Sequence, residues 1–106
     1  MTKYLNKKCE YQGKKFDSIK EMRFFIYLKQ LEEKGEIWNL RLQDKIKAII
    51  NSVVVFEYRA DFTYDDSRGH HVVDIKSEAT CKLPVFRLKK KILKALYGID
   101  IEVVLW

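Results

Sequence analysis

Little punctuates this chain. Its 106 residues include one proline, four glycines and two cysteines, which leaves no linker, no low-complexity tract and no disulfide framework to divide or staple it. No internal repeat is visible, so residues 1–106 read as one domain. Cys9 and Cys81 stand far apart, outside any C-x-x-C or Cys/His grouping of zinc-site spacing. They read as reduced thiols of a cytoplasmic protein, with a disulfide between them as the alternative. No run approaches the roughly 20 apolar residues of a spanning helix, and the opening MTKYLNKKCE is too polar for a signal-peptide core. The reading is of a protein without a membrane partner.

Positive charge, by contrast, is plentiful. Lys and Arg number 21 against 15 Asp and Glu, a formal charge of +6, with a pI of about 9.3. That balance favours polyanionic partners, DNA first among them. A hydrophobic fraction of 47%, with 13% aromatic residues, suffices for a core.

The glycines fall where one periodic pattern stops and another begins. KCEYQGKKF reads as a short hairpin turning at Gln12 and Gly13, which makes residues 1–16 a basic hairpin or arm ahead of a core from 17 to 106. Asp17 or Ser18 caps a helix of about four to five turns, in which Phe24, Phe25, Leu28 and Leu31 recur at helical spacing and Gly35 is the stop. Ile37 to Ile50 alternates in part, and VVVFEYRADFTY is a β-branched and aromatic run too long for a loop. DDSRG is turn chemistry, so Val53–Tyr64 and His70–Lys76 form an antiparallel hairpin. Pro84 opens a second helix over Val85–Tyr97, Gly98 ends it, and IDIEVVLW closes the chain as a strand. The expected class is α/β, of the α+β kind: a central mixed sheet with a hairpin, flanked by two helices, in the order α-β-β-β-α-β.

One strand breaks its own pattern. In HHVVDIKSEAT, Asp74 and Lys76 interrupt Val72, Val73 and Ile75. Alternation sends both polar side chains from the same face, about 6.6 Å apart along the strand. An even-numbered turn sets Asp65 opposite His70, and therefore Asp61 opposite Asp74, with Cβ atoms about 5 Å apart. Two carboxylates there repel by about 3 kcal/mol at an effective dielectric of ~20. A divalent cation would compensate, and two carboxylates beside an amine suit Mg²⁺, with Mn²⁺ able to substitute. Such an ion lowers the pKa of a bound water and stabilises a phosphorane-like transition state, while Lys76 orients that water or neutralises charge. The plainer reading is an exposed Asp74–Lys76 ion pair on the wet side of the sheet.

Glu21 has two readings as well. Ser18-x-x-Glu21 fits a capping box, which needs no further role. On a wheel of about 100° per residue, Glu21 also lies beside Leu28 and between Phe24 and Phe25, on the row facing the sheet, where it becomes a metal ligand.

Taken together, Asp61 and Asp74-Ile75-Lys76 resemble the motif of the PD-(D/E)XK nuclease superfamily. FDSIKEMRFF, LRLQDKIK, YRADFTY, VVDIKS and LKKKILKALYGIDIEVV are similar to a family of small phage-encoded proteins within it. The resemblance implies a restriction-endonuclease-like core and an active site of Glu21, Asp61, Asp74 and Lys76, the three acids binding metal, with Gln43 accessory. Ala60 stands where the motif has proline, and Asp74 where it often has glutamate; both variants are familiar in the superfamily. A helix-borne glutamate ahead of D…D-x-K also resembles phage endonuclease I junction resolvases and the TnsA-type transposon nuclease. The expectation is a Mg²⁺-dependent DNA endonuclease, on branched or Holliday-junction DNA by that likeness, encoded by phage or prophage. A homodimer would present two such sites to two strands. The alternatives are a non-catalytic DNA-binding or phage assembly protein of the same fold, and a basic domain with a structural ion pair.

Arg87, Lys90, Lys91 and Lys94 fall within about 100° of one another on the second helix, while Val85, Leu88, Ile92, Ala95 and Leu96 form the stripe expected on the sheet. The cations could follow a phosphate backbone or simply face water. Lys89, near the apolar stripe, either snorkels past the core or brings its amine to the acids. Lys3, Lys7, Lys8, Lys14 and Lys15 make the amino terminus a candidate DNA grip. His70 and His71 read as surface residues, and Trp38 and Trp106 as core or interface.

Overall fold

The computed structural model describes residues 8–105; Lys3, Lys7 and Trp106 lie outside them. A hairpin of β1 (Cys9–Tyr11) and β2 (Lys14–Phe16) precedes α1 (Ile19–Glu33). The long strands β3 (Trp38–Ile50) and β4 (Val53–Asp66) follow, then β5 (Gly69–Lys76), the one-turn helix α2 (Glu78–Cys81), α3 (Pro84–Tyr97) and β6 (Ile101–Leu105). Four strands form one sheet in the order β3-β4-β5-β6. β3, β4 and β5 are antiparallel, and β6 runs parallel to β5. This is the α+β arrangement of a mixed sheet, a separate hairpin and helices.

Local chemistry sets the boundaries. Ser18, rather than Asp17, is the cap of α1, its Oγ accepting the Glu21 amide at 3.1 Å. The helix closes when the Gly35 amide donates to the Glu32 carbonyl and the Glu36 amide to the Leu31 carbonyl, each at 3.0 Å, a Schellman ending. The β3–β4 turn has no glycine: Asn51 and Ser52 take φ of 50° and 66°, as a two-residue primed turn requires.

Two cores flank the sheet. One joins Phe25 and Leu28 of α1 to Phe16, Phe62, Val73 and Ile75; the other joins Phe86 and Leu93 of α3 to Tyr58, Ala60, Val72 and Ile101. Adjacent Val72 and Val73 serve different cores, so α1 and α3 cover opposite faces. Because Phe16, Tyr11 and Cys9 belong to the first core, the amino-terminal hairpin is packed down and is not a free arm.

The long hairpin does something alternation alone forbids. Leu40, Leu42, Phe62 and Tyr64 serve the α1 core, yet Ile46, Ala48, Tyr58 and Ala60, all of the same parity, serve the α3 core. The register pairs Leu42 with Phe62 and Asp44 with Ala60, so the reversal falls at Gln43 and Asp61. Gln43 there has φ of 54°. Both strands turn over together, and the side chains at that step belong to neither core.

The helix α3 is rotated from the setting expected for it. Phe86 and Leu93 are its buried residues, whereas Val85 and Leu88 are 64% and 58% exposed and Leu96 and Ala95 also face outward; of the expected stripe only Ile92 is partly covered. Phe86 decides the rotation by packing on two sheet residues at once, the Tyr58 ring at 6.3 Å and the Lys76 ammonium at 4.6 Å.

Candidate active site

The β4–β5 ladder has the register expected from the turn, pairing Asp65 with His70 and Phe62 with Val73. One step beyond, the strands separate at Asp61 and Asp74, and the two side chains bridge them. The Asp61 amide donates to Asp74 Oδ1 at 2.8 Å, and the Ile75 amide donates to Asp61 Oδ2 at 2.8 Å. Each carboxylate thus takes a main-chain donor that the ladder would otherwise have satisfied. Asp74 is 2% exposed, so this is not an ion pair on a wet face. Its Oδ2 lies 3.6 Å from Lys76 Nζ, and the same ammonium rests over the Phe86 ring, which fixes the lysine between acid and helix.

Glu21 approaches from α1. It is 8% exposed, and its carboxylate accepts from Ser18 Oγ at 3.3 Å, so the cap and the core-facing row coincide. Burial, then repulsion from Asp61, Asp17 and Asp74, pushes its pKa up to about 7. Burial also raises Asp61 and Asp74, against the pull of backbone amides and Lys76. Asp17, read from the sequence only as a cap, adds its field to both Glu21 and Asp61. Among the described residues, no three His, Cys, Asp or Glu side chains already stand in metal-holding geometry. The donor set nonetheless suits a hard cation: it is all oxygen, desolvated, and mutually repelling with one ammonium for relief.

A family model matches residues 1–104, almost the whole chain. The protein belongs to the DUF1064 family. That family is described as a protein of unknown function. No curated protein and no solved structure matches the chain.

The remaining candidates of this DUF1064 protein are spread around the fold. Gln43 stands opposite Asp61 but lines a groove of about 680 Å³ between α1 and β3, together with Lys14, Arg41 and Lys45. Lys15, in β2, is exposed. Lys89 does not reach the acids: its ammonium lies 5.4 Å from the Phe56 ring, and Phe56 is about 16 Å along β4 from Asp61. Arg87, Lys90, Lys91 and Lys94 line a different cleft, between α3 and β6. Trp38 is 46% exposed, not core. Cys9 and Cys81 are free thiols, and no helix among the described residues is long and apolar enough to cross a membrane.

His71 is the residue the sequence undervalued. Its Nδ1 lies 2.6 Å from Glu102 Oε2 and its Nε2 2.9 Å from Asp66 Oδ1, while its ring stacks on Tyr64 at 4.9 Å. It joins the β4–β5 turn to β6. Burial alone would lower its pKa; the hydrogen bond to Glu102 and the nearby Asp66 carboxylate outweigh this and raise it. His70, more exposed, pairs with Asp65 at 2.6 Å. Alternation could have placed His71 beside Tyr64, but its partner on β6 is distant in sequence.

Proposed function

We propose that this protein is a Mg²⁺-dependent DNA endonuclease that hydrolyses phosphodiester bonds at Asp61, Asp74 and Lys76, with Glu21 as the third acid. The observation that carries the reading is the juxtaposition at the β4–β5 fork: two carboxylates on facing strands, an ammonium 3.6 Å from one of them, and a buried glutamate whose pKa responds to both. Mg²⁺ bound there, or Mn²⁺ in its place, supplies a water of lowered pKa and positive charge against the developing phosphorane. Asp61 and Asp74 hold the ion, and Asp61 Oδ1, which takes no part in the backbone contacts, is open to it. Lys76 is the group that neutralises phosphate charge or orients the water, and Phe86 keeps its ammonium in place. The likeness to junction resolvases supports branched DNA as substrate, the resemblance to small phage-encoded proteins supports the cytoplasm of a phage-bearing host as the setting, and two sites for two strands suit a homodimer.

A second reading has its own observation. Both aspartates already bind backbone amides, which is what a structural staple at a strand fork would do, and a non-catalytic DNA-binding or phage assembly protein needs no more. Cleavage of linear, nicked and four-way-junction DNA, with Mg²⁺ or Mn²⁺ against EDTA, separates the two. Metal-dependent cutting that Asp74→Asn and Lys76→Ala both abolish supports the enzyme. Binding without cutting, equal in wild type and variants, transfers the protein to the second reading.

A further inference from the structure

The cleft between α3 and β6 has a volume of about 610 Å³, and none of Glu21, Asp61, Asp74 and Lys76 lines it. Its floor is aliphatic, formed by Ile99 and Val103 with the more exposed Ala95 and Leu105 beside them, and its rim is cationic, formed by Arg87, Lys90, Lys91 and Lys94. The single acid of the lining, Asp100, is taken by Lys94 at 2.8 Å. The other three cations make no ion pair among the described residues.

The same cleft runs beside an open sheet edge. β6 is the last strand in the order, paired with β5 on one side, and among the described residues no strand pairs with its other side. Edges are usually blunted by charge, proline or a bulge. β6 reads IEVVL; its one charge, Glu102, is engaged by His71. An aliphatic floor is a poor platform for nucleic-acid bases, which stack on aromatic faces, and the one aromatic ring in the lining, Phe86, is only 9% exposed.

We infer that this cleft docks an extended acidic segment of a partner protein, added as a strand at the outer edge of β6, whose aliphatic and acidic side chains follow one another on the face turned toward α3. Main-chain bonds to β6 supply affinity, the floor takes the aliphatic side chains, and Arg87, Lys90 and Lys91 select acids beside them. This inference is independent of the nuclease reading.

The test uses fluorescein-labelled short peptides of Val-Thr-Glu-Thr or Val-Thr-Lys-Thr repeats, which set Val beside Glu or Lys on one strand face, and a labelled oligothymidylate, titrated into the full chain. Anisotropy reports affinity, and amide chemical shifts report location. The Glu/Val peptide is expected to bind, to shift the amides of β6, and to weaken roughly tenfold in the double variant Arg87→Glu, Lys91→Glu; both positions are exposed, so the fold survives the change. Oligothymidylate that shifts the same amides in preference to the peptide overturns the proposal and gives the face to nucleic acid. Peptide binding that ignores the β6 amides or the double variant, or no binding at all, overturns it equally.

Discussion

Asp61 and Asp74 hold each other's strands: the Asp61 amide binds the Asp74 carboxylate, and the Asp61 carboxylate binds the amide just after Asp74, both at 2.8 Å. The repulsion expected between two facing acids is offset here by main-chain dipoles and by Lys76. Charge and hydrogen-bond acceptance are therefore separable at this fork.

That separation gives the first prediction. Asp74→Asn keeps an acceptor for the Asp61 amide and removes a buried charge whose pKa is raised, so its unfolding midpoint in urea should match or exceed that of wild type. Asp74→Ala leaves the amide unsatisfied and should cost about 1–3 kcal/mol. If the proposed activity is right, both variants lose cleavage by about 100-fold or more, and a purely structural aspartate would not produce that divergence between stability and activity.

Glu21 makes stability depend on pH. Its folded pKa of about 7 exceeds its ordinary 4.5, so the folded state holds the proton more tightly. The associated stabilisation is complete below pH 4.5 and disappears as pH rises through 7, a difference on the order of 3 kcal/mol. Urea unfolding in EDTA at pH 5 and pH 8 should show a fall that includes this contribution, and Glu21→Gln should reduce the fall by about that amount. An equal slope in wild type and variant would refute the placement of Glu21.

His71 acts in the same direction at the other end of the sheet. Its raised pKa means that protonated His71 stabilises the fold below its ordinary value of 6.5, and that the contribution fades as pH climbs through the raised one. Its ring carbon proton should titrate above the ordinary histidine value by NMR. Glu102→Gln, which removes one of the two facing acids, should bring that titration down.

Tyr97 fastens the long hairpin to α3, its hydroxyl donating to the Lys47 carbonyl at 2.8 Å and accepting from the Ile49 amide at 3.0 Å. Tyr97→Phe should cost about 1 kcal/mol and accelerate hydrogen exchange at Ile49, with exchange at Asp61 and Ile75 unchanged.

Much of the site was legible because a two-residue period and a turn are local facts. The DDSRG turn fixed the register that brings Asp61 to Asp74, and Ser18, Pro84, Gly35 and Gly98 marked the helix ends. The reversal at Gln43 and Asp61 left no trace, since its positive φ falls on Gln43, a residue type that does not usually signal one. The setting of α3 was misread for a different reason. Five aliphatic side chains outnumber one phenylalanine on a helical wheel, but the sheet offers Phe86 both a ring and an ammonium to pack on, and contacts with residues distant in sequence outweigh the local pattern. Lys89 and Trp38 were likewise settled by neighbours that only folding supplies.

The turnover of the long hairpin also bears on inheritance. Neither interior depends on the side chain at Asp61, so asparagine could replace it with both cores intact and the Ile75 amide still bound. A descendant that had abandoned chemistry would then be indistinguishable in shape from one that retained it. On the activity proposed above, shared architecture would be no guide to whether a related chain cleaves DNA; the residue at the crossing point would be.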